Sequence, residues 1–212
     1  MNSQASKRFE NIYARAGQAG QLPWNHTTPT HFLNEIVQAR DTPGRALDIG
    51  CGSGVDSVFL ASRGWDVTAV DFVPQAIEMT KARAAEARVT FALEQTDILT
   101  WDTGQKFDLV LDAGVLHNMK RSDIGRYREK ILHWLAPGGA FVLVHWERRG
   151  FFDVRPIGPR RAARQTIRDL FAPDLQETNF HRMVRTGLPF IIGPSMAQAT
   201  YWFRRAQTEQ TP

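Results

Sequence analysis

The densest chemical signal in the chain is ALDIGCGSG at residues 46–54. A buried strand that ends near Asp48 delivers Gly50, Gly52 and Gly54 to the start of a helix, where missing side chains let backbone approach a ligand closely. The glycines fall at 50, 52 and 54 with Val55 next, whereas the dinucleotide fingerprint requires G-x-G-x-x-G. That spacing, with an acid inside the strand end, points away from a pyrophosphate-bearing ligand. Asp71 closes VTAVD, 71 − 48 = 23 residues after Asp48, where a carboxylate can accept both hydroxyls of a ribose. Asp97 in QTDIL offers an acceptor for an exocyclic adenine amine, with Ile98 beside it as an apolar wall. In LDAGVLHNM the small Ala113 and Gly114 after Asp112 leave room for the amino-acid end of a cofactor against the backbone.

These residues need a scaffold that brings strand ends to one edge. From Ala46 the chain alternates short apolar runs with amphipathic stretches, the pattern of a parallel sheet with helices on both faces. Strands are expected at 46–49, 66–70, 90–93, 107–111 and 140–144, with helices at 55–63, 74–87 and 122–135. Pro74 suits a first helical turn and Ser122 suits a cap. Pro137-Gly138-Gly139 is expected to stop the third helix and turn the chain into the fifth strand. Residues 1–40 form a separate attachment or lid that becomes helical at 30–40, where Phe32, Leu33, Ile36 and Val37 recur at helical spacing. The remaining tract, 41–212, forms the main domain. It ends in an Arg-rich helix at 160–171 and two extended runs, 175–184 and 197–203, joined by a long linker that contains Phe190.

DIGCGSG, the strand-final Asp71, TDI at 96–98, FDLVLD at 107–112 and LAPGG at 135–139 resemble the ordered motif series of class I S-adenosylmethionine (SAM)-dependent methyltransferases. The resemblance covers roughly residues 40–205. It implies a Rossmann-like, doubly wound α/β fold: a seven-stranded sheet, mostly parallel with one antiparallel strand and helices on both faces. It also implies SAM as cofactor, S-adenosylhomocysteine (SAH) as product, and a small-molecule acceptor. Gly50, Gly52 and the Cys51 backbone would lie near the methionine moiety and Asp71 on the ribose. Asp97 and Ile98 would surround adenine, and Ala113 to Leu116 would lie beside the sulfonium. Asp48, Phe72 and Asp112 complete the expected cofactor set on the strand ends. The PWN tract and LDAGVLHNM are most similar to small-molecule methyltransferases of the thiopurine and tellurite-resistance type, which would make Trp24 an aromatic lid.

His117 follows the fourth strand near the expected methyl position, and an imidazole there can serve as a general base or as a wall residue. His145, Trp146 and Phe190 are candidates for the acceptor pocket, whereas His26 and His31 read as surface residues. None of the 6 histidines has metal-ligand spacing with a carboxylate, so no metal is expected. Arg160, Arg164 and Arg168 recur four apart and would share one helical face.

Composition sets the outer bounds. The chain has 212 residues, 42% hydrophobic and 23% charged, enough for one domain with a real core. A single cysteine excludes an intrachain disulfide framework and favours a reducing cytoplasm. No apolar run suggests a signal peptide or a membrane span. The charge of +4 is too mild for a dedicated nucleic-acid binder. An RNA methyltransferase nevertheless stands as an alternative, although DAGV lacks the Pro-Pro-aromatic segment of the base-amino methyltransferases it would resemble. A non-catalytic SAM-binding protein is another. An aminopropyl transferase would share the fold and first motif, but no second acidic pair is evident.

Overall fold

The computed structural model describes residues 3–148, 159–186 and 195–205, without the side chains of residues 3–6 and 185. Its strands are β1 (Arg45–Ile49), β2 (Asp66–Asp71), β3 (Ala92–Gln95), β4 (Phe107–Asp112), β5 (Leu135–Glu147), β6 (Arg161–Ala162), β7 (Leu175–Thr186) and β8 (Ser195–Arg205). The helices are α1 (Ser3–Ala16), α2 (Leu33–Gln38), α3 (Val55–Ala61), α4 (Pro74–Glu86), α5 (Ile124–Trp134) and α6 (Arg164–Phe171).

Seven strands form one sheet in the order β3-β2-β1-β4-β5-β8-β7, and the two-residue β6 pairs with the end of β5. β8 alone runs against its neighbours. Because β8 covers one edge of Trp146 and Glu147, β6 occupies the edge that β4, ending at Asp112, leaves free. β1 pairs with β2 on one side and β4 on the other, so the chain reverses its winding between β1 and β4. In an open α/β sheet the carboxyl end of that reversal is a crevice, since the two flanking loops leave in opposite directions.

Both faces of the sheet are covered, which explains why the central strands are apolar at nearly every position. Leu47, Ile49, Val110 and Phe141 face the layer of α5 and α6, with Tyr127, Ile131, Trp134 and Phe171. Ala46, Leu109, Leu111 and Val142 face the layer of α2 and α3, with Leu33, Ile36 and Leu60. A third, smaller cluster joins Tyr13 and Ala16 of α1 with Leu22, Val73 and Ala76.

Several expected boundaries shift for local reasons. β3 starts at Ala92 rather than residue 90, because Arg88 at φ 56° caps α4 and Val89 still donates to the Ala84 carbonyl. Pro137-Gly138-Gly139 lies within β5, where the register against β4 is irregular, and α5 already ends at Trp134. His145 and Trp146 are therefore strand residues, not residues after the strand. Ser122 lies in a 3-10 turn, and α5 begins at Ile124 without a side-chain cap. The helix expected at 30–40 is confined to Leu33–Gln38, since Phe32 is left-handed at φ 75°. α6 starts only at Arg164, so Arg160 and Arg161 leave the helical face predicted for them. α1 was not expected at all; its signal is Phe9, Ile12, Tyr13 and Ala16 at spacings of three and four. Among the described residues, no helix is long and apolar enough to cross a membrane.

Candidate active site

The glycine loop is built by hydrogen bonds that leave it little freedom. Gly50 and Cys51 both donate to the Val70 carbonyl, at 2.7 and 3.1 Å, which fastens the end of β1 to β2. From α4, Thr80 Oγ1 donates to the Gly52 carbonyl at 3.1 Å and Arg83 Nε to the Ser53 carbonyl at 2.7 Å. Gly50 has φ +69°, and a Cβ there would lie 2.4 Å from Val115 Cγ2, so only glycine lets the loops after β1 and β4 close on each other. Gly52 has φ +60°, and its Cβ would reach within 3.3 Å of the Tyr13 hydroxyl, filling the gap between loop and α1.

The acids divide into two kinds. Asp71 accepts from Gly52 N at 3.0 Å on Oδ2 and from Val73 N at 2.9 Å on Oδ1. Each oxygen keeps a lone pair, and the carboxyl ends β2 beside the crevice. Burial raises its pKa to about 6 against the pull of the Val73, Gly52 and Phe72 amides, so it is mostly ionised at neutral pH. Asp97 is half-buried beyond β3; it accepts from Leu99 N at 3.0 Å, while Thr96 N donates to the Asp71 carbonyl, which ties the two acid-bearing turns together. Ile98 is buried beside it.

Asp48 and Asp112, by contrast, lie behind the loops and serve them. Asp112 is 0% exposed. Its Oδ1 accepts from Gly114 N at 2.8 Å and Val115 N at 2.6 Å, and its Oδ2 from Leu116 N at 2.9 Å and Tyr127 OH at 2.6 Å. Asp112 shapes the Ala113–Leu116 backbone through four acceptances, all internal. Asp48 takes the Ser57 hydroxyl at 2.5 Å, and burial, reinforced by the nearby Asp56, raises its pKa to about 8. Cys51 presents its backbone; its thiol is buried 3.6 Å from Thr80 Oγ1, and burial pushes it well above the ordinary range.

Beyond β4, Ala113 and Gly114 are half-buried and the His117 ring lies over Gly114, with Cε1 3.7 Å and Nε2 3.9 Å from where a Cβ would stand. His145 and Trp146 of β5 face the same imidazole, at ring distances of 5.7 and 6.4 Å. The sheet thus brings together three of the four residues predicted for the acceptor pocket; Phe190 lies outside the described residues. His117 Nδ1 is buried without a hydrogen-bond partner among the described residues. Burial, then His145 and Arg160, lower the His117 pKa to about 3, against the Val144 carbonyl. His145, its Nδ1 2.8 Å from the Trp146 carbonyl, is lowered to about 4, again mainly by burial. Both imidazoles are neutral at pH 7.

The N-terminal segment closes the other side. Trp24, 37% exposed, meets Phe9 and Tyr13 edge-on at 5.7 Å each, and Phe9 meets Phe72 at 5.9 Å. Tyr13 places its hydroxyl against the glycine loop at Gly52, and sequence reasoning missed it because the tract around α1 reads as a polar tail. Burial and the neighbouring Asp71 raise its phenol pKa. Asp56, at the start of α3, anchors the segment: it accepts from Thr30 N at 2.7 Å and Thr30 Oγ1 at 2.5 Å. Among the described residues no group of three or more His, Cys, Asp or Glu is arranged to hold a metal.

Comparison with known proteins bears on this arrangement directly. A family model described as a methyltransferase domain matches residues 46–139, the stretch from β1 into β5 that carries the glycine loop and the strand-end acids. The chain is 27% identical over 157 residues to a 2-heptyl-1-hydroxyquinolin-4(1H)-one methyltransferase of Mycobacteroides abscessus, covering 71% of this chain and 69% of that one. It is 29% identical to a probable thiol methyltransferase 2 of Arabidopsis thaliana, covering 73% of this chain and 68% of that one. By these matches the chain carries a methyltransferase domain over residues 46–139, that of an enzyme that uses SAM. The fold agrees: a Burkholderia thailandensis 1,6-didemethyltoxoflavin-N1-methyltransferase structure superposes with TM-score 0.73 at 21% identity, covering 95% of this chain and 87% of that one.

The residues of this methyltransferase fit SAM as its cofactor. The narrow cradle above Gly52 would be filled by a single Cβ, and among the described residues the buried Asp71 carboxylate forms no ion pair and accepts one amide on each oxygen, leaving a lone pair on each. A ribose diol supplies two donors for those lone pairs.

Proposed function

We propose that this methyltransferase transfers the SAM methyl group to an aromatic or apolar small molecule through a thiol, hydroxyl or amine, by direct in-line displacement. The observation that carries the reading is the crevice between β1 and β4. There Gly50 backs onto Val115, with Asp71 on one side and the His117–His145–Trp146 wall on the other. In this reading Asp71 would hold the ribose, Asp97 and Ile98 the adenine, and the Gly50–Gly52 backbone with Ala113 and Gly114 the methionine end. Bound SAM supplies a methyl group already activated on a sulfonium, so the protein needs no nucleophile of its own. The work left to the chain is alignment and exclusion of water. Tyr13, Trp24, Phe9 and Phe72 would close over the cofactor, and residues 1–40 would act as a lid on a single domain. His117, whose ring lies over Gly114, would orient the acceptor as a neutral wall residue.

A reducing cytoplasm suits the lone buried Cys51. The net charge of +4, mild for a nucleic-acid binder, favours a small acceptor over RNA. The test is SAH release from SAM with a panel of thiols, phenols, amines and RNA. Turnover confined to small molecules is expected, and turnover of RNA alone would refute the reading.

A further inference from the structure

Basic groups gather at the acceptor wall: His117 and His145 line it with Arg160 close by, while the carboxylate of Glu147, next to Trp146, is paired with Arg182. Arg160 donates its backbone N–H to the His117 carbonyl at 3.1 Å, and its Nη2 to the Leu116 carbonyl at 3.1 Å and to the Met119 carbonyl. It thereby straps β6 to the turn that carries His117. Its guanidinium is half-buried and close enough to depress both imidazoles, while Arg121 in turn presses on Arg160. Among the described residues, neither arginine forms an ion pair with a carboxylate; Arg40, Arg128, Arg164 and Arg182 all do. Asp112, the acid nearest His117 in sequence, is fully enclosed by three amides and Tyr127.

Resting on the methyltransferase reading of this site, we propose that the acceptor binds as an aromatic anion, an ionised thiol or acidic hydroxyl. Its charge is held by Arg160, with Arg121 behind it, and its ring lies against Trp146 and His117. Two physical arguments support this. First, a half-buried guanidinium without an ion-pair partner among the described residues favours an anion over a neutral isostere, because the anion supplies a counter-charge that no described carboxylate gives. Second, the described residues offer no competent base: the two imidazoles bind protons too weakly to ionise an acceptor at neutral pH, Asp112 is held by three amides and Tyr127, and Glu147 by Arg182. With an anion no proton has to be placed. Its lone pair forms the bond to the methyl carbon, and the electron pair of the breaking carbon–sulfur bond returns to sulfur, leaving a neutral thioether.

The test is calorimetry of 4-nitrophenolate and neutral 4-nitrotoluene binding at a pH where the phenol is ionised, with the protein free and SAH-loaded. The phenolate is expected to bind at least about tenfold tighter, the scale of one partly desolvated charge interaction. Arg160→Gln should remove that preference. Arg160→Lys should keep much of it, although both variants lose the guanidinium bonds to Leu116 and Met119. Should Arg160→Gln fail to fold, Arg121→Gln is expected to reduce the preference partly. Equal binding of the two probes, binding of neither, or a preference unchanged in both glutamine variants would overturn the proposal. Failure of SAH to bind counts instead against the methyltransferase reading, and the phenolate preference is then read on the SAH-free protein.

Discussion

Gly50→Ala isolates the contact on which the crevice depends. A left-handed backbone at φ +69° costs a non-glycine residue about 1–2 kcal/mol. The added Cβ would stand 2.4 Å from Val115 Cγ2, where carbon atoms pack at about 3.5–4.0 Å, so Val115 must retreat by more than about 1 Å. Its amide is held by Asp112 at 2.6 Å and its side chain packs on the core, so the retreat resembles overpacking and costs about 1–3 kcal/mol. The sum is about 2–5 kcal/mol, measurable as a lower urea midpoint with an unchanged slope. Adding Val115→Ala removes Cγ2 and should return the steric part but not the backbone part, so the cycle should show a favourable coupling of about 1–3 kcal/mol. SAM affinity should fall in the single variant and recover partly in the double. A single variant within about 0.5 kcal/mol of the parent, or strict additivity in the cycle, would refute the reasoning.

SAM affinity, followed by calorimetry, should be flat above pH 7 and weaken below about pH 6 as Asp71 protonates, approaching about tenfold per pH unit; affinity constant down to pH 5 would remove the carboxylate from binding. Asp48 carries its proton more tightly folded, at about 8, than its ordinary 3.8, so its contribution to stability is complete below about pH 4 and is lost as pH rises through 8. Asp48→Asn should therefore be tolerated at pH 7 and should flatten the decline between pH 4 and 8; an unchanged slope in denaturant titrations would contradict that. Tyr13→Ala should weaken SAM binding by about tenfold or more while hardly moving the global unfolding midpoint, because α1 packs mainly on α4 and can detach locally. A large global loss with intact SAM binding would make Tyr13 a core residue instead.

The sequence-level signals that survive folding are those set by local chemistry. Gly50 and Gly52 must be glycine because their φ values are positive, and Asp71 must end its strand because its backbone partners, Gly52 and Val73, lie in the adjoining turns. Apolar runs such as FDLVLD announce burial on both faces. What stayed hidden depends on partners distant in sequence. The Arg160, Arg164 and Arg168 spacing reads as helical, yet the pairing of Arg161 and Ala162 with Trp146 and Glu147 holds the chain extended until Arg164. Asp112 and Asp71 look alike as strand-final acids; only Tyr127 and the three amides show that Asp112 is spent internally. α1 was concealed because Lys7, Arg8 and Glu10 mask the apolar stripe that contains Phe9 and Tyr13.

The most direct test of the account is a calorimetric titration of SAM into the parent protein and into Asp71→Asn. Saturable one-site binding in the parent, weakened at least about tenfold by loss of a charged acceptor for two ribose hydroxyls, is the predicted result. Absence of SAM binding to the folded parent, or equal affinity in Asp71→Asn, would contradict it.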